Sequence, residues 1–122
     1  MNLLRETAIK EAIKIMGDRI SFAQMSNAQL QLHIRRVSQN SSRVFFTMHA
    51  QARMLQRSVS DIQVLDCLRS GLMQRPAQID KVTNLVKCRM EYFGSARNLA
   101  VIVGLDDQDP DLLIVTVMTR TR

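Results

Sequence analysis

The chain has 122 residues, of which 46% are hydrophobic, and a formal net charge of +6. This length fits one domain that buries a core without disulfide staples. The longest uninterrupted apolar stretch, residues 99–105, is far too short to cross a bilayer. The N-terminus becomes polar at Arg5 and Glu6, too early for a signal peptide. We therefore expect a soluble, cytoplasmic protein rather than a membrane-bound or secreted one.

The basic residues are mostly arginine, with 13 Arg against four Lys. Four of the 11 acidic residues lie together at Asp106, Asp107, Asp109 and Asp111. Outside this acidic loop, 17 basic and seven acidic residues leave an excess of ten positive charges. Arginine binds phosphate and carboxylate through planar, bidentate hydrogen bonds. The composition therefore favours nucleic acid as the partner, and an acidic protein is the second class.

Two groups of residues raise the question of a metal. Cys67 and Cys88 lack Cys or His neighbours at zinc spacing, so we predict two buried thiols in a reducing compartment. The acidic loop offers hard oxygen ligands. It lacks the spacing and the terminal Glu of a calcium loop, however, and Asp and Pro are ordinary turn residues. We predict no metal and no other cofactor.

The first 42 residues predict an N-terminal helical extension. Residues 3–16 carry a helical stripe formed by Leu4, Ala8, Ala12 and Ile15. This stripe is too apolar to face water, so it should pack on this domain or on a second copy in a homodimer. A second helix should begin at Ser26 or Asn27. Its apolar side is predicted to be Leu30, Ile34 and Val37.

Residues 43–122 predict the core of one compact domain. Residues 43–48 are rich in β-formers and predict a strand, and a helix should follow at His49. Two overlapping cap signals then start another helix, which ends at Gly71: Ser58 with Asp61, and Ser60 with Gln63. The buried stripe of that helix is predicted to be Ile62, Leu65 and Leu68, flanked by Val64 and Cys67.

The last third of the chain changes to a period of two. Residues 85–93, 99–105 and 112–119 predict three strands of an antiparallel meander. Tyr92 falls on the apolar side of its strand, so we predict a core position rather than a base-stacking one. Early helices and late strands together predict an α+β fold, with helices packed on a small antiparallel sheet.

The most informative segment is the helix beginning at His49. His49, Arg53 and Arg57 fall at i, i+4 and i+8, within one narrow sector of the helix surface. An imidazole moves protons near neutral pH, and two guanidiniums hold an anion. This set of side chains is therefore suited to handling a phosphate. The alternative is that the three side chains form a solvated polar face and nothing more.

The segment resembles a widespread uncharacterised bacterial and phage family that is similar to the RelE-like and barnase-like ribonuclease toxins. The match covers about residues 43–120. The matching residues are His49, Ala50, Arg53, Met54, Arg57, Ser60, Asp61, Ile62, Gly71 and residues 114–117. The chain departs from the pattern at Ser58, where the family usually has Gly, and the N-terminal helices stay unexplained. The resemblance implies a RelE-like or barnase-like α+β fold for residues 43–122.

The resemblance also implies a toxin-like, metal-independent endoribonuclease, its inactive descendant, or an RNA-binding protein. Cleaving RNA without a metal needs proton transfer and cations on the developing phosphorane. We therefore predict His49, Arg53 and Arg57 as catalytic residues. The predicted nucleic-acid-binding residues are Lys87, Arg89 and Arg120. His33 lies beside an apolar stripe, so a structural role is expected for it.

Two other classes of function compete with this one. A helix-turn-helix has a suitable shape around residues 57–60, but Asp61, Gln63 and Asp66 on its second helix would repel DNA phosphates. A small phage- or plasmid-borne protein that binds and inhibits another protein, without catalysis, also fits. The eight methionines and the acidic loop suit such a surface. An antitoxin or another acidic protein is the partner expected in that case.

Overall fold

The computed structural model describes residues 21–94 and 98–120, without the side chain of Arg120. The helices of these residues are α1 (Asn27–Val37), α2 (Met48–Arg57) and α3 (Asp61–Ser70). The strands are β1 (Val44–Phe46), β2 (Gln78–Ile79), β3 (Val86–Phe93), β4 (Asn98–Asp106) and β5 (Asp109–Arg120). The predicted α+β class is confirmed. The helix predicted over residues 3–16 lies outside the described residues.

The starts of the helices follow from local capping chemistry. The hydroxyl of Ser26 accepts a hydrogen bond from the Gln29 backbone, and the Gln29 side chain accepts one from Ser26, which forms a capping box on α1. Ser60 and Gln63 form the same box on α3. Both predicted caps are confirmed. The hydroxyl of Thr47 caps α2 by accepting from the backbone of Ala50 at 3.1 Å.

Ser58 ends α2 rather than starting α3. It lies in the left-handed region, with φ of 54°, directly after the last helical residue Arg57. Glycine is the residue that this conformation favours, because a Cβ is strained there. The predicted cap signal of Ser58 with Asp61 is therefore wrong.

The sheet has the strand order β1-β5-β4-β3-β2. The meander β3-β4-β5 is antiparallel throughout, as predicted, with Met90 opposite Val101 and Val101 opposite Met118. β1 pairs in parallel with β5, from Val44 opposite Leu113 to Phe46 opposite Val115, so the sheet as a whole is mixed. A parallel pair needs a long connection, and here that connection carries α2, α3 and the first two meander strands.

The two faces of the sheet differ because side chains alternate along a strand. On one side, the core face, buried strand residues meet the buried sides of all three described helices. The core includes Leu30, Ile34, Met54, Val64, Leu68, Cys88, Met90, Val101, Val103 and Val115. Tyr92 packs against this core, as predicted. The other side we call the charged face, and on β3 it bears Lys87, Arg89, Glu91 and Phe93.

The predicted buried stripe of α3 is wrong at Ile62 only, since Leu68 is buried and Leu65 is partly buried against the core. Helix α3 buries Val64, Cys67 and Leu68, whereas Ile62 is 70% exposed. Val64 lies two residues from Ile62, which places the two side chains on nearly opposite sides of a helix with 3.6 residues per turn. Contact with the sheet fixes the rotation of the helix, because the Cys67 thiol donates to the Met90 carbonyl oxygen at 3.4 Å.

Candidate functional site

Helix α2 presents the predicted catalytic residues. Ala50 and Met54 are buried on its inner side, against β5. His49 is exposed and Arg53 is partly buried, and both lie on one flank of the helix, as the spacing predicts. Within residues 21–94 and 98–120, neither of these two side chains makes a hydrogen bond or an ion pair. Within the described residues both can therefore receive a ligand, and the exposed Arg57 follows one turn later on the helix.

The outer side of α2 is apolar. Met48 is 87% exposed and Leu55 is 84% exposed. Their i, i+7 spacing and the exposed Ala52 between them make one stripe, opposite the buried side of the helix. An exposed apolar stripe is typical of a surface that meets another macromolecule.

Some arginines stabilise the fold instead of serving a ligand. Arg35 of α1 donates to the Gly71 carbonyl oxygen at 2.8 Å, just beyond the end of α3. Arg69 of α3 donates to the Ser38 carbonyl oxygen at 2.8 Å, at the end of α1. Each helix thus supplies a cation to the carbonyl end of the other, where the helix dipole favours positive charge. The arginine excess of the sequence therefore overstates the surface that is available to phosphate.

The charged face brings two predicted nucleic-acid-binding residues together. Lys87 pairs with Asp80, with Nζ 2.9 Å from Oδ2. This hydrogen bond, with another from the Val82 backbone, lowers the pKa of Asp80 to about 2. Arg89 lies two residues along the same strand face, and its Nε is 3.4 Å from Glu91 Oε1. The side chain of Arg120, the third residue predicted to bind nucleic acid, lies outside the described part of the chain.

Glu91 is the residue of this face that the sequence did not single out. Its side chain is only 9% exposed, and its Oε1 also lies 3.9 Å from Nε of Arg75. The Nε of Arg89 is buried and has no hydrogen-bond partner among the described residues. A buried carboxylate between two guanidiniums, with an unsatisfied N–H, is a feature that calls for a functional explanation. The period of two placed Glu91 beside Lys87 and Arg89 but gave no sign of its burial.

The predicted site residues therefore form two surfaces rather than one. His49, Arg53 and Arg57 lie on a helix that packs on the core face at β5. Lys87 and Arg89 lie on the opposite face of β3, which is two strands away from β5 in the sheet. The sheet stands between the two groups of side chains. One small ligand cannot touch both groups, although an extended polymer can.

Comparison with known proteins gives a family. A family model described as a domain of unknown function, DUF4258, matches residues 46–119. The chain belongs to this family. No curated protein and no solved structure matches the chain. The DUF4258 region contains α2, the charged face and the whole meander, so it includes both candidate surfaces. Helix α1 lies outside it, yet contributes Leu30, Ile34 and Val37 to the same core.

The remaining candidates outside these surfaces have structural partners. In His33, Nε2 lies 2.7 Å from the Pro110 carbonyl oxygen and Nδ1 lies 3.2 Å from the Arg36 guanidinium, and the ring contacts Phe22. The structural role predicted for His33 is confirmed. In the acidic loop, the Asp107 carboxylate accepts a hydrogen bond from the Phe22 backbone at 3.0 Å.

Two features of the described residues bear on metals and membranes. In residues 21–94 and 98–120, no group of three His, Cys, Asp or Glu side chains is placed to hold a metal ion. No helix within those ranges has both the length and the apolar character needed to cross a bilayer.

Proposed function

We propose that this DUF4258 protein binds RNA and cleaves it without a metal ion, as a toxin-like endoribonuclease of the RelE-like type that its motif resembles. His49 would transfer the proton, and Arg53 and Arg57 would hold the phosphate. One observation carries the proposal: His49 is exposed on the same flank of α2 as Arg53, and the described residues occupy neither side chain. A helix-anchoring role would require such contacts.

The proposed reaction uses the nucleophile that RNA itself carries. The imidazole of His49 accepts the proton of a 2′-hydroxyl, and the 2′ oxygen forms a bond to the adjacent phosphorus. The bond between phosphorus and the 5′ oxygen breaks, and the leaving oxygen takes a proton from water. The guanidiniums stabilise the additional negative charge on the phosphorane. Without this chemistry, the same surface would serve RNA binding alone.

The test compares substitutions on α2. Arg53→Ala should lower the rate of RNA cleavage by about 10²–10³, the usual effect of losing one such electrostatic donor. His49→Ala should lower the rate by about 10²–10⁴, the usual contribution of a general base, because it removes the group that accepts the 2′-hydroxyl proton. Gln51→Ala is the control and should leave the rate unchanged, because this exposed position is two residues from both His49 and Arg53 and so lies on the other side of the helix. Melting temperatures show whether each variant is folded. Full activity in a folded His49→Ala protein would overturn the assignment.

A second function is favoured by the exposed stripe of Met48 and Leu55. In this alternative the protein binds another protein, an antitoxin or a different acidic protein, and inhibits it without catalysis. Arg53 and Arg57, on another flank of the same helix, would attract such a partner. Leu55→Ser should then abolish the complex with the partner, whereas the wild type should show no RNA binding even at low salt.

The proposed setting is the cytoplasm. Burial raises the pKa of the Cys67 thiol and of the Cys88 thiol to about 12. Both thiols therefore stay protonated and unreactive, and both cysteines are free. Two buried, unpaired thiols fit a reducing compartment.

A further inference from the structure

We propose that Arg75 and Arg89 on the charged face bind a backbone phosphate of single-stranded RNA, and that Glu91 is the counter-ion which this phosphate displaces. The inference rests on the proposed function, because it names a second contact for the same RNA. It assigns a role to Glu91 and Arg75, neither of which lies on α2.

Among the described residues, the balance of charge at this site leaves one cation in excess. One carboxylate, that of Glu91, faces two guanidiniums at 3.4 and 3.9 Å. The nearby Lys87 is neutralised by Asp80. Both distances from Glu91 are longer than a charge-assisted hydrogen bond, and Arg89 Nε has no hydrogen-bond partner among the described residues. A phosphodiester has two free oxygens and can accept from both guanidiniums at once, so it can satisfy donors that Glu91 leaves unsatisfied.

Access to the site is from the edge of the sheet. Arg75 is 67% exposed, whereas the Glu91 side chain beneath it is 9% exposed. The backbone there is fixed, since Leu72 and Glu91 exchange two hydrogen bonds of 2.8 Å. A ligand therefore reaches the guanidiniums from solvent through movement of the Arg75 and Glu91 side chains alone. The strand does not need to move.

A base-stacking ring lies next to the guanidiniums. Phe93 is two residues beyond Glu91 on the same strand face, about 7 Å along the strand. Its side chain is 54% exposed, which is unusual for a phenylalanine and leaves the ring open to a base. Stacking on an aromatic ring together with cations on the backbone is how proteins bind single strands without reading sequence. A duplex keeps its bases stacked on one another, so the ring selects a single strand.

The experiment measures binding of a fluorescein-labelled 12-nucleotide oligouridine by fluorescence anisotropy. Phe93→Ala should weaken binding by about fivefold or more, the lower end of what one stacked base contributes. Arg75→Ala should lower the slope of log Kd against log salt by about 0.7, the value for one phosphate on a single strand. Glu91→Gln should tighten binding by about threefold, because it removes the negative charge that competes with the phosphate.

Phe45 provides the matched control. It is an exposed phenylalanine on the same face of the sheet, at the β1 edge, three strand spacings from β3. Phe45→Ala should leave the affinity unchanged. Melting temperatures accompany every variant, and Arg75 is exposed enough for its substitution to fold. A Glu91→Gln protein that is folded and binds no more tightly than the wild type would overturn the role of Glu91.

Other outcomes separate this inference from the proposed function. If the wild type binds the oligouridine while Arg75→Ala and Phe93→Ala change nothing, the charged-face site is wrong, although cleavage through α2 can still hold. If these variants weaken binding while His49→Ala retains full cleavage, the catalytic role of α2 is wrong and the charged-face site stands. Equal competition by poly-L-glutamate, or equally tight binding of duplex RNA, would overturn the assignment of a single-stranded RNA ligand.

Discussion

The α2 surface and the charged face use the same residue type in opposite ways. On α2, Arg53 and His49 have no side-chain partner within the described residues, and the helix is held by Thr47, Ala50 and Met54 instead. On the charged face, Arg89 lies against the buried carboxylate of Glu91, whose backbone is fixed in the sheet. Substitutions on α2 should therefore change function with little effect on stability, whereas substitutions around Glu91 should change both.

The largest effect is expected at Gly71, which fixes the edge of the charged face. A Cβ at this position would meet the Cys67 carbonyl oxygen and would lie 2.9 Å from the Glu91 carbonyl oxygen. Backbone atoms cannot move aside, so Gly71→Ala should lower the free energy of unfolding by about 3 kcal/mol. Urea denaturation measures the change.

Gly104 is the matched control for this clash. A Cβ there would meet Leu85 Cδ1 at 2.8 Å, which is the mobile end of a side chain. Gly104→Ala should therefore lower the free energy of unfolding by about 1 kcal/mol or less. If both substitutions lowered the free energy of unfolding equally, the clash of a Cβ at Gly71 with the backbone of α3 and β3 would not be the cause of the loss.

The second-largest loss of stability is expected at Glu91, and Arg53 on α2 provides the comparison. Glu91→Ala leaves Arg89 without its carboxylate and should cost about 2 kcal/mol, below the range for a fully buried pair because Arg89 is 25% exposed. Arg53→Ala should lower the free energy of unfolding by less than about 0.5 kcal/mol, as is usual for surface positions. Thermal and urea unfolding of the two variants give both numbers. A larger loss of unfolding free energy for Arg53→Ala than for Glu91→Ala would contradict the expected difference between the two surfaces.

A smaller effect is expected where α2 is attached to the sheet. The hydroxyl of Thr47 accepts from Ala50 N at 3.1 Å and donates to the Thr116 carbonyl oxygen at 3.3 Å. Thr47→Ala should cost about 1 kcal/mol, the usual value for a lost N-cap. Thr47→Ser keeps the hydroxyl and should restore most of the stability. Failure of the Ser variant to recover stability would mean that the methyl group, rather than the cap, holds α2.

The smallest effect concerns pH. Burial lowers the pKa of His33 below its ordinary 6.5, although the hydrogen bond to Pro110 opposes the shift. Between the lowered value and 6.5 the unfolded chain binds more protons than the folded one, so stability rises with pH across this interval. The contribution of neutral His33 to the free energy of unfolding is complete above pH 6.5 and falls as the pH drops below that value. His33→Gln should remove this component from denaturation curves measured between pH 7 and pH 5. An unchanged slope would contradict the role of His33.

Local signals in the sequence were sufficient for most of the secondary structure. The capping boxes of Ser26 and Ser60 involve residues three apart, so their pattern can be recognised without the fold. The alternation along residues 85–93 fixed which side of β3 is apolar, because side chains point to opposite faces at every step. The helical spacing of His49, Arg53 and Arg57 likewise defined one flank of α2. These features depend on neighbours within a few residues.

Contacts between distant residues decided the rest. The burial of Glu91 and its approach to Arg75 depend on a backbone pairing with Leu72, which no local pattern encodes. The exposure of Ile62 depends on how α3 is rotated against β3. The amino-acid sequence by itself determined the caps at Ser26 and Ser60, the strand periods and the helix flank of the candidate site. Only the tertiary structure decided which cations are paired and that the site residues form two surfaces, because burial and ion pairing depend on segments that fold together from far apart in the chain.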